Sequence, residues 1–163
     1  MKLTGAMLLL GACILCGCRA ASRLDRQVRC LRTLMQLIDT MMTELQSRLP
    51  FLSELLPLLA DKPAFAGLPF LQEAARNTDT FPESWNAAVE TDSTLTDEAR
   101  SVLITVGQTL GSTTLEGQIS ALRLCEKQLA ELYGQAAERA RQKGTLCRSM
   151  GLLSGMFLVI LLL

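Results

Sequence analysis

Two stretches at the ends of the chain, residues 3–18 and 149–163, contain no charged side chain. Each is about 15 residues, or roughly 23 Å of helix, against the ~20 residues that a full hydrocarbon core takes. Arg19 and Arg148 stand at their inner edges. Their long stems extend the apolar span while the guanidinium heads reach the interface. The last segment holds nine Leu, Phe, Val and Ile residues, which favour insertion by roughly 3 to 5 kcal/mol. The first holds six and is the weaker anchor. The pattern predicts a transmembrane segment over 3–18, a body over 19–148 and a second transmembrane segment over 149–163.

Charge placement gives this arrangement a direction. Only Lys2 lies on an outer flank, whereas Arg19, Arg23, Arg26, Arg29 and Arg32 follow the first segment and Arg139, Arg141, Lys143 and Arg148 precede the second. Basic residues resist translocation, so the body is expected in the cytoplasm with both termini outside. The middle is acidic, with Glu73, Asp79, Glu83, Glu90, Asp92, Asp97 and Glu98 against Arg76. The balance of 16 basic and 16 acidic residues argues against a nucleic-acid partner.

Another processing route would reverse the topology. Leu15-Cys16-Gly17-Cys18 and Leu10-Gly11-Ala12-Cys13 resemble a bacterial lipoprotein signal, and cleavage there would leave an extracytoplasmic helical adaptor domain. Against it stand the arginines after Cys18 and an n-region with a single Lys2. The Cys13/Cys16 pair has the CxxC spacing but no second pair and no βαβ context, so it reads as small residues in an apolar helix.

The body reads as all-α. Apolar residues are 49% of the chain and aromatics 4%, a mixture rich in Leu, Ala and Met that favours helix. From Arg19 no breaker occurs until Pro50. Within that run Leu24, Val28, Leu31, Met35, Ile38, Met42, Leu45 and Leu49 alternate at spacings of four and three, a heptad seam for lengthwise helix packing. A second long helix is expected after Gly111. Thr113-x-x-Glu116 reads as its capping box, and Leu115, Ile119, Leu122, Cys125, Leu129, Leu132, Ala136 and Ala140 form its stripe. These two should lie antiparallel as a stalk and continue into the membrane segments.

Shorter helices are expected between them. Pro50 and Pro57 bracket an apolar stretch that Pro57 should kink or end. A short helix covers 70–76. Thr80-x-x-Glu83 suggests a capping box for a helix through Trp85 and Val89. Thr96, with Asp97 and Glu98 in the first turn, opens a helix that Gly111 closes. The expectation is an antiparallel bundle of about six helices.

No catalytic, cofactor or metal site is predicted. There is no histidine, which removes histidine-based acid/base chemistry and histidine-ligated metals. Glu44, Glu54, Glu73, Glu83, Glu90 and Glu98 occupy polar positions of amphipathic helices and read as solvated rather than as catalytic pairs. Gly107 to Gly111 lacks the strand and lysine of a phosphate loop. The candidates are for interaction: Gly151 and Gly155, a GxxxG that permits close helix approach, and the acidic stretch 73–98 as a docking face.

Several segments resemble the stage III sporulation protein AB family. They are Val106-Gly107-Gln108-Thr109-Leu110-Gly111, Gln118, Ser149-Met150-Gly151-Leu152-Leu153-Ser154-Gly155 with Ile160-Leu161-Leu162, the opening Lys2-Leu3-Thr4-Gly5-Ala6-Met7-Leu8-Leu9, Arg23-Leu24 and Glu83-Ser84-Trp85. The resemblance spans nearly the whole chain and adds Gly107, Gly111 and Gln118 to the packing and interaction candidates. It implies a non-enzymatic, cytoplasmic helical domain similar to the inner-membrane platform protein of type II secretion and type IV pilus systems. It further implies a place in the mother-cell membrane around the forespore, with a secretion-type ATPase and ring-forming membrane proteins as partners. Platform proteins carry two copies of the domain, so a homodimer could supply the second. Six cysteines and the apolar run 51–59 depart from the family pattern.

Overall fold

No proline occurs before Pro50, and in the computed structural model a single helix, α1, runs over Lys2–Arg48. Five further α-helices follow: α2 Leu52–Ala60, α3 Pro69–Arg76, α4 Glu83–Thr91, α5 Asp97–Thr109 and α6 Leu115–Leu162. Single 3₁₀ turns at Pro63–Phe65 and Thr78–Thr80 lie on either side of α3. The structure describes the backbone of residues 2–48, 52–112 and 114–162, and the side chains of 22–47, 54–112 and 114–142. Among the described residues the fold is all-helical, as expected.

The chain divides into two compact units. One contains Met1–Val28 and Gln135–Leu163, grouping the early half of α1 with the late half of α6; the other is Arg29–Gly134. In the second unit successive helices pack on one another, α2 on α3, α3 on α4 and α4 on α5. Its core takes Leu31, Leu34, Leu37, Ile38 and Met41 from α1, all essentially inaccessible. From α6 it takes Leu122, Cys125 and Leu129.

The buried face of α1 is wider than the heptad seam. Leu31, Ile38, Met42 and Leu45 of the seam are buried, but so are Leu34, Leu37 and Met41, while Met35 is only half-buried. A helix that meets a globular core covers a broader stripe than one facing a single partner. On α6, Leu122, Cys125, Leu129 and Ala136 are buried, and Leu115, Ile119, Leu132 and Ala140 half-buried.

Helix boundaries follow local chemistry, with one correction, at Thr80. Thr96 caps α5 as expected, its hydroxyl accepting from the Ala99 N–H at 3.4 Å. Thr80 caps nothing: it lies in a 3₁₀ turn with its hydroxyl donating to Asn77 O, and α4 starts instead behind Pro82, which follows a cis peptide bond. Thr114 caps α6, its hydroxyl accepting from the Gly117 N–H at 3.4 Å; Thr113, expected as the cap, lies outside the described residues. Three residues after Thr114 stands Gly117, which has no side chain to return the bond of a capping box to Thr114. Of the two outcomes expected at Pro57, a kink or an end, the second does not occur: α2 continues to Ala60 with Pro57 on its exposed side. The apolar run is explained by Leu55, Leu56 and Leu59, all buried, with Leu58 left partly exposed.

Among the described residues no helix is long and apolar enough to cross a membrane. The two expected spans, 3–18 and 149–163, lie where only the helical backbone is described.

Candidate functional site

The indole of Trp85, in the first turn of α4, is fully buried. Its Nε1 donates to the carbonyl of Leu103 on α5 at 2.8 Å. Phe70 meets the ring edge-on, with centroids 5.4 Å apart at 88°, and Phe81 lies at 6.2 Å. One turn beyond Leu103, Gly107 supplies the space. A Cβ there would stand 2.4 Å from Trp85 Cδ1 and 2.9 Å from Nε1. Burying an aromatic of this size removes about 150–250 Å² from water, worth roughly 4–6 kcal/mol at 25 cal/mol per Å². Trp85 therefore ties α3, α4 and α5 together.

A second knot closes the other end of α4. Asp92, expected in the acidic surface stretch, is buried at 7% exposure. Its Oδ1 accepts from the Thr94 N–H at 2.8 Å and the Thr94 hydroxyl at 2.6 Å. Oδ2 accepts from the Phe70 N–H, in the first turn of α3, at 3.3 Å. The carboxylate thus satisfies a helix N-terminal amide across 22 residues of sequence, where negative charge is favoured. Arg100 holds the same corner, donating to Val89 O and Asp92 O at 3.3 Å each and to Asp97 at 2.5 Å.

Glu44 also departs from the solvated reading. It is half-buried and pairs with Lys62 at 2.9 Å, joining α1 to the segment after α2. Cys30 and Cys125 carry free thiols. Burial pushes Cys30 above the ordinary thiol range, and the Asp92 carboxylate adds to the shift. Burial likewise raises Cys125.

Of the residues singled out from sequence, Gly107 is buried beneath Trp85. Gly111 takes a positive φ of 78° just past α5, a conformation glycine adopts freely. Gln118 is half-buried in the first turn of α6, its N–H bonding Thr114 O at 2.9 Å. Gly151 and Gly155 fall on α6 outside the residues whose side chains are described. The structure thus joins two segments that are distant in sequence, Glu83-Ser84-Trp85 and Val106-Gly107. Sequence reasoning missed Asp92, Arg100 and the Glu44–Lys62 pair; the one local signal was Asp92-Ser93-Thr94, a spacing that suits an Asx turn.

Formal charge divides with the units. The unit holding both chain ends carries eight basic and two acidic side chains, a net of +6, and Arg29–Gly134 carries eight and fourteen, a net of −6. On the acidic unit Glu73, Asp79, Glu83, Glu90, Asp97 and Glu98 are exposed. Glu73 pairs with Arg76 at 3.1 Å. The acidic stretch is therefore a surface feature except at Asp92.

No curated protein and no solved structure matches the chain. A family model does, over residues 2–163, and so takes in both uncharged ends, the Trp85–Gly107 contact and the Asp92 knot. By that match the chain belongs to the stage III sporulation protein AB family.

Proposed function

We propose that this protein is a non-enzymatic membrane platform in endospore formation. The uncharged ends anchor it, residues 19–148 stand in the cytoplasm, and the helical body is presented to a secretion-type ATPase within a channel complex with ring-forming membrane proteins. One observation carries the reading. The unit that contains both uncharged ends is the basic one, at +6, and the unit remote in sequence from those ends is the acidic one, at −6. Basic residues beside apolar spans stay on the cytoplasmic side. Two copies side by side would reproduce the paired domains of a platform protein.

Topology is the first test. Cys30 and Cys125 are poor reporters, being shielded and held more in the unreactive thiol form than an ordinary cysteine. Leu124, 59% exposed on α6, is a better position. A cysteine-free chain carrying Leu124→Cys should react with a membrane-impermeant maleimide only after cells are permeabilised. Labelling of intact cells would overturn the topology and favour the lipoprotein route. The second test is capture of the ATPase by the full chain in detergent; no retention at saturating ATPase would remove the presenting role.

A further inference from the structure

Within the unit formed by Met1–Val28 and Gln135–Leu163, the described basic side chains are all exposed: Arg23 and Arg26 on α1, Arg139 and Arg141 on α6. By sequence the unit has two carboxylates, Asp25 and Glu138, against eight basic side chains, an excess of positive charge whatever the individual pairings. Arg23 and Arg26 lie five and eight residues after the first uncharged stretch, and Arg141 and Arg139 eight and ten before the second. At 1.5 Å per helical residue these offsets are about 8 to 15 Å, comparable to the Debye length of ~10 Å at 0.1 M salt, and a guanidinium stem shortens them. Fixed cations this close to a bilayer face attract anionic headgroups, and guanidinium binds phosphate bidentately.

We infer that these four arginines form an anionic-phospholipid site, which selects such lipids around the two anchors. The inference rests on the membrane reading above, but it goes further: a two-pass anchor needs only hydrocarbon, whereas this surface discriminates among headgroups. Arg19, Lys143 and Arg148 add charge of the same sign along the same two helices. A charge near an anionic surface is worth about five-fold in partitioning, and several together give a preference that disappears as salt screens it.

The full chain is reconstituted into vesicles of phosphatidylcholine and phosphatidylglycerol, and the fraction of spin-labelled lipid immobilised by protein is measured for each headgroup. Phosphatidylglycerol should be retained several-fold over phosphatidylcholine at about 0.01 M salt, and equally at about 1 M, where the Debye length falls to ~3 Å. The quadruple variant R23Q/R26Q/R139Q/R141Q should lose the preference while keeping its helical circular dichroism. The variant R123Q/K127Q, exposed on α6 in the acidic unit, should retain it. Equal retention of both lipids by the unaltered chain, or equal loss in both variants, overturns the site. Carbonate-resistant flotation in pure phosphatidylcholine vesicles reads the anchors separately: a chain that floats without headgroup preference keeps the membrane reading and loses this one, and a chain that fails to float loses both.

Discussion

Gly107 faces Trp85 so closely that a methyl group at 107 would lie 2.4 Å from Trp85 Cδ1. The indole cannot retreat, because its Nε1 is bonded to Leu103 O and Phe70 stands against its edge. Gly107→Ala would gain about 1 kcal/mol of helix propensity. It should nevertheless lower stability, because overpacking a filled site costs about 1–3 kcal/mol. Trp85 is the chain's single tryptophan, so its emission should shift red in the variant while the melting temperature falls. In a double-mutant cycle with Trp85→Phe, which opens space, the second substitution should cost less than it does alone. Strict additivity would argue against the contact.

Asp92→Ala should cost about 1–3 kcal/mol, because it strands the Phe70 and Thr94 amides inside the protein. Asp92→Asn keeps one acceptor oxygen and should cost less. Amide exchange read residue by residue should accelerate at Phe70 and Thr94 in the Ala variant; unchanged protection at both would show that the knot is dispensable.

Glu44 and Lys62 form a part-exposed pair, with side chains 19% and 36% accessible. Solvent screening limits such a pair to about 0.5–1 kcal/mol. A cycle of Glu44→Gln and Lys62→Gln should yield a coupling of that size in low salt and a smaller one in high salt. A coupling indifferent to salt would mean that packing of the stems, not charge, joins α1 to the segment after α2.

Among the described residues the free thiols of Cys30 and Cys125 set an alkaline limit on stability. Their folded-state values lie above the ordinary thiol range, so folding favours the neutral form. That contribution is complete below the unfolded-state value and is lost as pH rises through the folded one. Denaturation midpoints should therefore fall on the alkaline side of the thiol range, and fall less in the variant C30S/C125S. Alkylation below that range should be slow, with half-buried Cys30 reacting ahead of buried Cys125.

Determinants acting within about one helical turn were legible in the sequence. Proline-free runs marked the long helices, Thr96 capped α5, and Gly111 took the left-handed position after it. The heptad seam found the buried side of α1 but understated its width, since periodicity does not say how many neighbours a helix meets. Thr80 shows the limit of the local code: its spacing to Glu83 suited a cap, yet the 3₁₀ turn and Pro82 left it elsewhere.

The contacts that hold the body together span 18 to 22 residues: Trp85 to Leu103, Glu44 to Lys62 and Asp92 to Phe70. A carboxylate in an acidic run looks solvated until the fold brings a helix amide to it, because only burial makes that hydrogen bond worth its desolvation. The same holds for Gly107, whose missing side chain has meaning only once Trp85 lies over it. Composition and order determined where this chain bends and which ends are greasy. Packing alone decided which polar groups are removed from water, because that depends on residues that are neighbours in space and not along the chain.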